Sequence, residues 1–222
     1  MKLYSGPLSL FSRKAEIALR EKGLAFEREM VPFNQAAGYS PKHPAVLAAN
    51  PKRQVPVLVD GDLTLFDSTL IFEYLEDAYP APALYPREAK EKARCRLLEL
   101  TADEVVVPLV ARFMYRTEPP SPDPERRRQQ EDAATRAEAD LGERYRAFER
   151  VLGEKEYLCG AFTVADIALF MAILFARRLE APFLASHPGL ALWYERTSVR
   201  PAVAETAREI AVADRELSPP LA

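Results

Sequence analysis

The sequence predicts an α/β domain of order βαβαββα followed by an all-helical domain. Residues 1–80 alternate short strand-like runs with helical ones, as a sheet with crossover helices requires. Residues 55–65 read as a hairpin with a proline at its mouth. A proline-rich connector, Pro80-Ala81-Pro82-Ala83-Leu84-Tyr85-Pro86, then separates these elements from a remainder in which every strong pattern is helical. The division expected is residues 1–80, a linker over 81–86, and a helical domain over 87–222.

Lys2 to Ser5 form the first strand, ended by Gly6-Pro7. From Ser12 to Lys22 the spacing of Ala15, Ala18 and Leu19, with charges between them, reads as an amphipathic helix closed by Gly23. Ala25 to Val31 is the second strand, completing a βαβ unit. A polar loop leads to a brief helix over Pro44 to Ala49, and then to the stretch around which the domain is organised, Asn50-Pro51-Lys52-Arg53-Gln54-Val55-Pro56-Val57-Leu58. Proline forces its predecessor into extended conformation, so Val55 lies extended at a loop edge. The Val55-Pro56 bond is a candidate cis site. In that form the Val55 backbone is left to pair with an outside peptide, as in strand addition. The run after Pro56 is a strand, Asp60-Gly61 turns the chain, and Leu63 and Leu65 alternate with polar residues on the return. Ser68 opens a helix to Ala78 with Leu70, Ile71, Tyr74 and Leu75 on its buried side. The Ser68 hydroxyl and the first-turn amides make an anion site.

In the second part, Arg87 to Arg116 is expected as one long helix kinked at Pro108. Thr117 to Pro124, with four prolines, is a loop. Glu125 to Leu152 is a second long helix whose Arg126, Arg127 and Arg128 form a solvated first turn. Phe162-Thr163-Val164-Ala165-Asp166-Ile167 reads as a helix start, with Thr163 as cap, Asp166 bonding back to it, and Phe162 packing on Ile167. The helix that follows is apolar all round and therefore buried. Helices around Leu190 to Thr197 and Pro201 to Arg215 complete the helical domain.

The net charge is −3 and neither half is basic, which argues against a nucleic-acid surface. The sequence contains no run long enough to cross a bilayer. The opening residues enter strand-like sequence directly, so a cytoplasmic location is expected. Cys95 and Cys159, the two cysteines, match no metal or disulfide spacing and are expected as buried, inert thiols. His43 and His187 stand beside prolines without sequence partners and are expected on the surface.

The loop after the first strand reads Leu8-Ser9-Leu10-Phe11-Ser12-Arg13-Lys14 and leads into a helix N-terminus, which favours negative charge. A thioredoxin-type domain carries C-x-x-C at this point, whereas this chain has Ser9 and Ser12. Without a thiol the protein cannot run disulfide exchange here, so a reacting thiol comes from a ligand. A serine hydroxyl donating to that sulfur, together with the helix dipole, lowers a thiol pKa from about 8.5 toward neutrality. Taken alone, Ser9 and Ser12 read as a turn residue and a helix cap.

Four stretches in order, Ser9 to Leu19, Asn50 to Leu58, Asp67-Ser68 and Phe162 to Ile167, make the chain resemble a cytosolic glutathione S-transferase over nearly its whole length. The resemblance implies the glutathione S-transferase fold, a thioredoxin-like domain followed by a helical one. Its serine-type zeta-, theta- and omega-like members place the activating residue where Ser9 stands, with Ser12 as the alternative. It further implies that Val55, ahead of Pro56, pairs through its backbone with the cysteinyl unit of glutathione. Asp67 and Ser68 would hold the γ-glutamyl end, and Gln54 and Lys42 the glycyl end. Position 67 is Asp where the family more often has Glu. Ser5 stands where tyrosine-type members carry their hydroxyl, and Tyr4 points to the other face of its strand. A second-substrate pocket for a small apolar electrophile would be lined by Leu10 and Phe11 and by Val105, Leu109, Phe113 and Tyr115, residues that read equally as plain core. The co-substrate implied is glutathione, with no metal, no nucleic acid and no membrane, and the assembly implied is a homodimer. A zeta-like maleylacetoacetate isomerase would carry Ser-Ser-Cys where this chain has Ser9-Leu10-Phe11. The rival reading, from a different functional class, is a non-catalytic protein resembling stringent starvation protein A, which binds RNA polymerase. Ser9 favours the enzyme.

Overall fold

The structure is a computed structural model that describes residues 1–182 and 184–218. Its strands are β1 (Lys2–Ser5), β2 (Glu27–Met30), β3 (Val57–Asp60) and β4 (Leu63–Phe66). Its α-helices are α1 (Leu10–Glu21), α2 (Pro44–Ala49), α3 (Ser68–Ala78), α4 (Ala89–Thr101), α5 (Val107–Val110), α6 (Pro124–Leu152), α7 (Val164–Arg178), α8 (Pro188–Ser198) and α9 (Pro201–Leu217). By contacts the chain divides into two compact units. One is Met1–Leu84 with the segment from Pro201 that carries α9, and the other is Tyr85–Arg200.

In the first unit the sheet order is β2-β1-β3-β4, with β1 parallel to β2 and antiparallel to β3, and β3 and β4 paired as the hairpin. The second strand is shorter than Ala25 to Val31 because Pro32 has no N–H to extend the ladder. The last bond is from the Val31 amide to the Ser5 carbonyl, 2.8 Å. Alternation along β1 sends Leu3 and Ser5 to a fully buried face, while Tyr4 packs on the other side against Val31, Val46 and Val57. On α3 the buried residues are Ser68, Ile71, Phe72 and Leu75, and Leu70 is half exposed.

The charges of α1 do not face solvent as an amphipathic pattern implies. Arg13, Lys14 and Glu16 are each no more than 1% exposed. Glu16 accepts from Arg13 at 2.7 Å, from Arg28 of β2 at 2.8 Å, and from the Ser5 hydroxyl. Across on α9, Glu209 accepts from Arg13 at 2.8 Å, from Arg20 at 2.9 Å, and from Arg28. Burying such charges is tolerated because each has partners. This network groups α9 with the first unit, although its place in the sequence follows the helical domain. At the other end of α1, the buried Lys22 ammonium donates to Glu76 at 2.8 Å and to the carbonyls of Tyr79 and Pro82, pinning the connector.

In the second unit the expected single helix from Arg87 to Arg116 is instead a composite. α4 runs into a π-helical turn over Ala102–Val106, then α5, then a 3₁₀ stretch over Ala111–Thr117. Pro108 has no N–H for the Glu104 carbonyl and its ring crowds the turn before it, and the wider π turn absorbs both. α7 is buried from Val164 through Ile173. Within it Asp166 accepts from the Leu158 and Thr163 amides and from the Trp193 indole, each at 2.9 Å. The Asp166 bond back to Thr163 is the one its spacing predicts. Arg126, Arg127 and Arg128 are exposed.

Neither histidine lies free at the surface. His187 is 5% exposed, with Nδ1 3.4 Å from Glu149 Oε2 and its ring edge-on to Tyr145. His43 Nε2 is 2.9 Å from Glu29 Oε1. Cys95 is fully buried on α4, whereas Cys159, expected to be buried, is half-buried.

Candidate functional site

Sheet register brings three of the chain's polar turns to one end of the first unit. Tyr4 pairs with Val57, and Val57 with Phe66. The chain therefore leaves β1 into the Gly6–Ser9 loop, enters β3 from Val55-Pro56, and leaves β4 into Asp67-Ser68, all at the same end of the sheet. Two of these turns are helix starts. The N-termini of α1 and α3 thus bring their partial positive charges and spare amides to one place.

At the first start, Ser9 caps α1 in extended conformation, φ −94° and ψ 110°. The helix consequently begins two residues ahead of Ser12. Ser9 Oγ accepts from the Ser12 amide at 3.3 Å and from the Ser12 hydroxyl at 3.0 Å. With both bonds accepted, the Ser9 proton has no acceptor among the described residues. Ser12 is fully buried and donates its proton to Ser9, whereas Ser9 is partly open to solvent. The hydroxyl able to donate outward is Ser9.

Tyr39, which sequence reading passed over, holds this loop in place. Its hydroxyl accepts from the Leu8 amide at 3.0 Å, and its ring lies on Gly6 so closely that a Cβ there would meet Tyr39 Oη at 2.6 Å. A methyl at Gly6 would require the Tyr39 ring, and with it the bond to the Leu8 amide, to move. Ser5, one residue earlier, is fully buried and committed to Glu16.

At the second turn the Val55-Pro56 bond is cis. The Val55 amide and carbonyl find no hydrogen-bond partner among the described residues. The loop before them is tied by Asn50, which accepts from the Lys52 amide at 2.9 Å and donates to the Gln54 carbonyl at 2.6 Å. Gln54 and Lys42 are exposed.

At the third, Asp67 caps α3 through a 3.0 Å bond from the Thr69 amide. Its backbone, φ 78° and ψ 128°, lies where non-glycine residues are strained, and such strain concentrates at functional positions. Lys52 Nζ is 3.9 Å from Asp67 Oδ2. Ser68 is 4% exposed, and its hydroxyl makes no hydrogen bond among the described residues. Ser9, Val55, Pro56, Asp67 and Ser68 thus share one end of the sheet and leave a hydroxyl proton, a peptide pair and helix amides unused. This set suits an extended peptide-like anion carrying a thiol or thiolate.

The residues expected around an apolar pocket divide differently. Leu10 and Phe113 are buried, the latter under the Arg116 guanidinium at 4.9 Å. Phe11, Leu109 and Tyr115 are half-buried, and Val105 is 38% exposed.

Two family models match the chain. Residues 3–83 match the family described as "Glutathione S-transferase, N-terminal domain", and residues 99–201 match "Glutathione S-transferase, C-terminal domain". Glutathione S-transferase 3 of Zea mays is 32% identical, covering 95% of this chain and 94% of its own. A stringent starvation protein A homolog of Coxiella burnetii is 41% identical over 100 residues, 44% of either chain. Among solved structures, a glutathione S-transferase from Rhodospirillum rubrum superposes with a TM-score of 0.75 at 28% identity, covering 92% of this chain and 90% of its own.

Proposed function

This chain belongs to the glutathione S-transferase family, and on that premise we propose that it is a glutathione transferase that activates the glutathione thiol for attack on a small apolar electrophile. The observation carrying the reading is the Ser9 hydroxyl, which accepts twice from Ser12 and keeps its own proton for a sulfur at the N-terminus of α1. A hydrogen bond to the thiolate favours the ionised form, and the helix dipole adds to it.

Recognition is assigned residue by residue. The unpaired Val55 amide and carbonyl take the cysteinyl backbone, fixed in register by Pro56. Ser68 and the first amides of α3 take the γ-glutamyl carboxylate, and Asp67 takes its ammonium. Gln54 and Lys42 reach the glycyl carboxylate from exposed positions. On the first unit, Leu10 and Phe11 are proposed to border the electrophile beside Ser9. Ser12 acts through Ser9 by orienting that hydroxyl. The protein is proposed to work as a cytoplasmic homodimer, and the exposed Leu97 and Leu100 on α4 support an apolar contact surface.

A second reading is a non-catalytic interaction protein like stringent starvation protein A, which the partial match to the Coxiella homolog favours. The two separate in a conjugation assay with a panel of nitro-activated aryl halides, epoxides and enones. Turnover that requires glutathione and falls in Ser9→Ala supports the enzyme. No glutathione-dependent turnover with any member of the panel would overturn it.

A further inference from the structure

The loop that carries Ser9 is held by two side chains. The Tyr39 hydroxyl accepts from the Leu8 amide at 3.0 Å. Arg13 reaches back from α1, and its Nε and Nη2 each donate to the Pro7 carbonyl at 3.3 Å. Between these anchors the Ser9 amide closes the turn by donating to the Gly6 carbonyl at 3.1 Å. Pro7 stands two residues before Ser9, so a shift of its carbonyl moves the Ser9 hydroxyl as well.

The remaining Arg13 nitrogen fixes the guanidinium. Nη1 donates to Glu16 at 2.7 Å and to Glu209 of α9 at 2.8 Å. A planar fork of donors can serve a carbonyl on one edge and carboxylates on another. Arg13 is buried, so water does not replace a contact that is lost. Glu16 lies on α1 itself, and the contact that ties the guanidinium to α9 is Glu209. A second arginine seats α9 on α1: Arg20 donates to the Thr206 hydroxyl at 2.5 Å and to Glu209 at 2.9 Å, with Glu205 3.4 Å away. Glu205, Thr206 and Glu209 share one helical face by their spacing, and the whole set lies in the first unit. Glu209 is partly open to solvent, and its partners are Arg13, Arg20 and Arg28, none of which the glutathione reading uses.

We propose that α9 sets the position of the Ser9 hydroxyl through a relay of Glu209, Arg13 and the Pro7 carbonyl, which makes Glu209 and Arg13 positioning residues of the thiol-activating loop. The relay belongs to the free protein, and its effect on a bound thiol rests on the glutathione reading above. Without Glu209, Glu16 alone serves Arg13 and Arg28. The Arg13 fork then turns toward Glu16, and its two bonds to Pro7 weaken.

The test uses the full chain as wild type, Glu209→Ala and Arg13→Lys, with two readouts. The lysine keeps a positive charge beside Glu16, but a single ammonium cannot hold the Pro7 carbonyl and Glu209 in one geometry. In amide hydrogen exchange by NMR without glutathione, the Leu8 and Ser9 amides are expected to exchange about tenfold faster in both variants, with the β3 and β4 amides unchanged. In kcat/KM against pH, the thiol inflection is expected to rise by about 0.5–1 unit in both variants. Adding Glu209→Ala to Ser9→Ala is expected to give no further rise, because the relay acts only through Ser9. Loop exchange at the wild-type rate overturns the relay, and so does faster exchange spread equally over the hairpin, which is a loss of global stability. A further rise in the double variant overturns action through Ser9. A loosened loop in a protein whose wild type shows no glutathione chemistry supports the relay and overturns the glutathione reading. The two variants sit at different links of the relay, so either decides where the other fails to fold.

Discussion

Replacing Ser9 by alanine removes one proton donor and one helix cap, and the structure allows the two losses to be separated. A hydrogen bond to a charged group contributes about 1.5–3 kcal/mol. One pKa unit corresponds to about 1.4 kcal/mol, so losing the Ser9 donor raises the bound thiol by about 1–2 units. In kcat/KM against pH, the rising limb shifts up by that amount. At a pH below the wild-type inflection the rate falls about 10- to 100-fold, and the gap narrows at high pH, where the thiol ionises without help. Ser9→Thr keeps both hydroxyl and cap and restores the profile. Ser12→Ala is the control. It deletes the 3.0 Å bond from the Ser12 hydroxyl but leaves the 3.3 Å bond from the Ser12 amide, and the Ser9 proton stays available. Its inflection stays within about 0.5 unit of wild type, since a lost bond between neutral groups contributes about 1 kcal/mol and mainly to stability. Loss of the cap in Ser9→Ala costs about 1 kcal/mol of folding stability, measured by urea titration. An inflection that moves as far in Ser12→Ala as in Ser9→Ala would refute the assignment of the donor.

Three further outcomes follow from the same contacts. Glu16→Gln leaves Arg13 and Arg28 sharing Glu209 alone and lowers stability by about 3–5 kcal/mol, read from the urea midpoint. Gly6→Ala drives a methyl into the Tyr39 ring, whose hydroxyl also holds Leu8; we expect a lower thermal midpoint and weaker glutathione binding together, with Tyr39→Ala in the same chain recovering part of the stability but not the binding. Glu209 is raised by partial burial, but the hydrogen bond from Arg28 and the charges of Arg20, Arg28 and Arg13 outweigh this and hold it below its ordinary 4.5. Its folded pKa being depressed, its contribution to stability is complete above pH 4.5 and is lost as pH falls through the lower folded value. Glu209→Gln should flatten that acid slope in unfolding measured across this range.

The elements of the first unit were legible because local chemistry decides them. Asp60-Gly61 turns the hairpin, Ser68 begins α3 on schedule, and α2 covers the six residues its prolines and apolar run suggest. What could not be read is whatever depends on partners distant in sequence. The charges of α1 look solvated in any local window, because the residues that neutralise Arg13 and Arg20 sit on α9, about 190 positions away. His187 finds Glu149 on another helix, about 40 positions away. The π turn before Pro108 escaped because a proline predicts a break but not which neighbouring turn absorbs it. At the candidate site, Ser9 and Ser12 stood out together in sequence. Only the direction of the bonds between them separates donor from support. Tyr39 gave one usable signal, an aromatic beside Gly38 in the loop that follows the second strand.

Glutathione binding at the Asp67-Ser68 helix start is tested most directly by calorimetric titration of glutathione into the wild type and into Ser68→Ala. Saturable binding is expected in the wild type, with weakening in the variant by about 1–2 kcal/mol, the contribution of a hydroxyl and its carboxylate partner at the start of α3. Absence of binding to the wild type at millimolar glutathione, or equal affinity in both proteins, would contradict binding at that site.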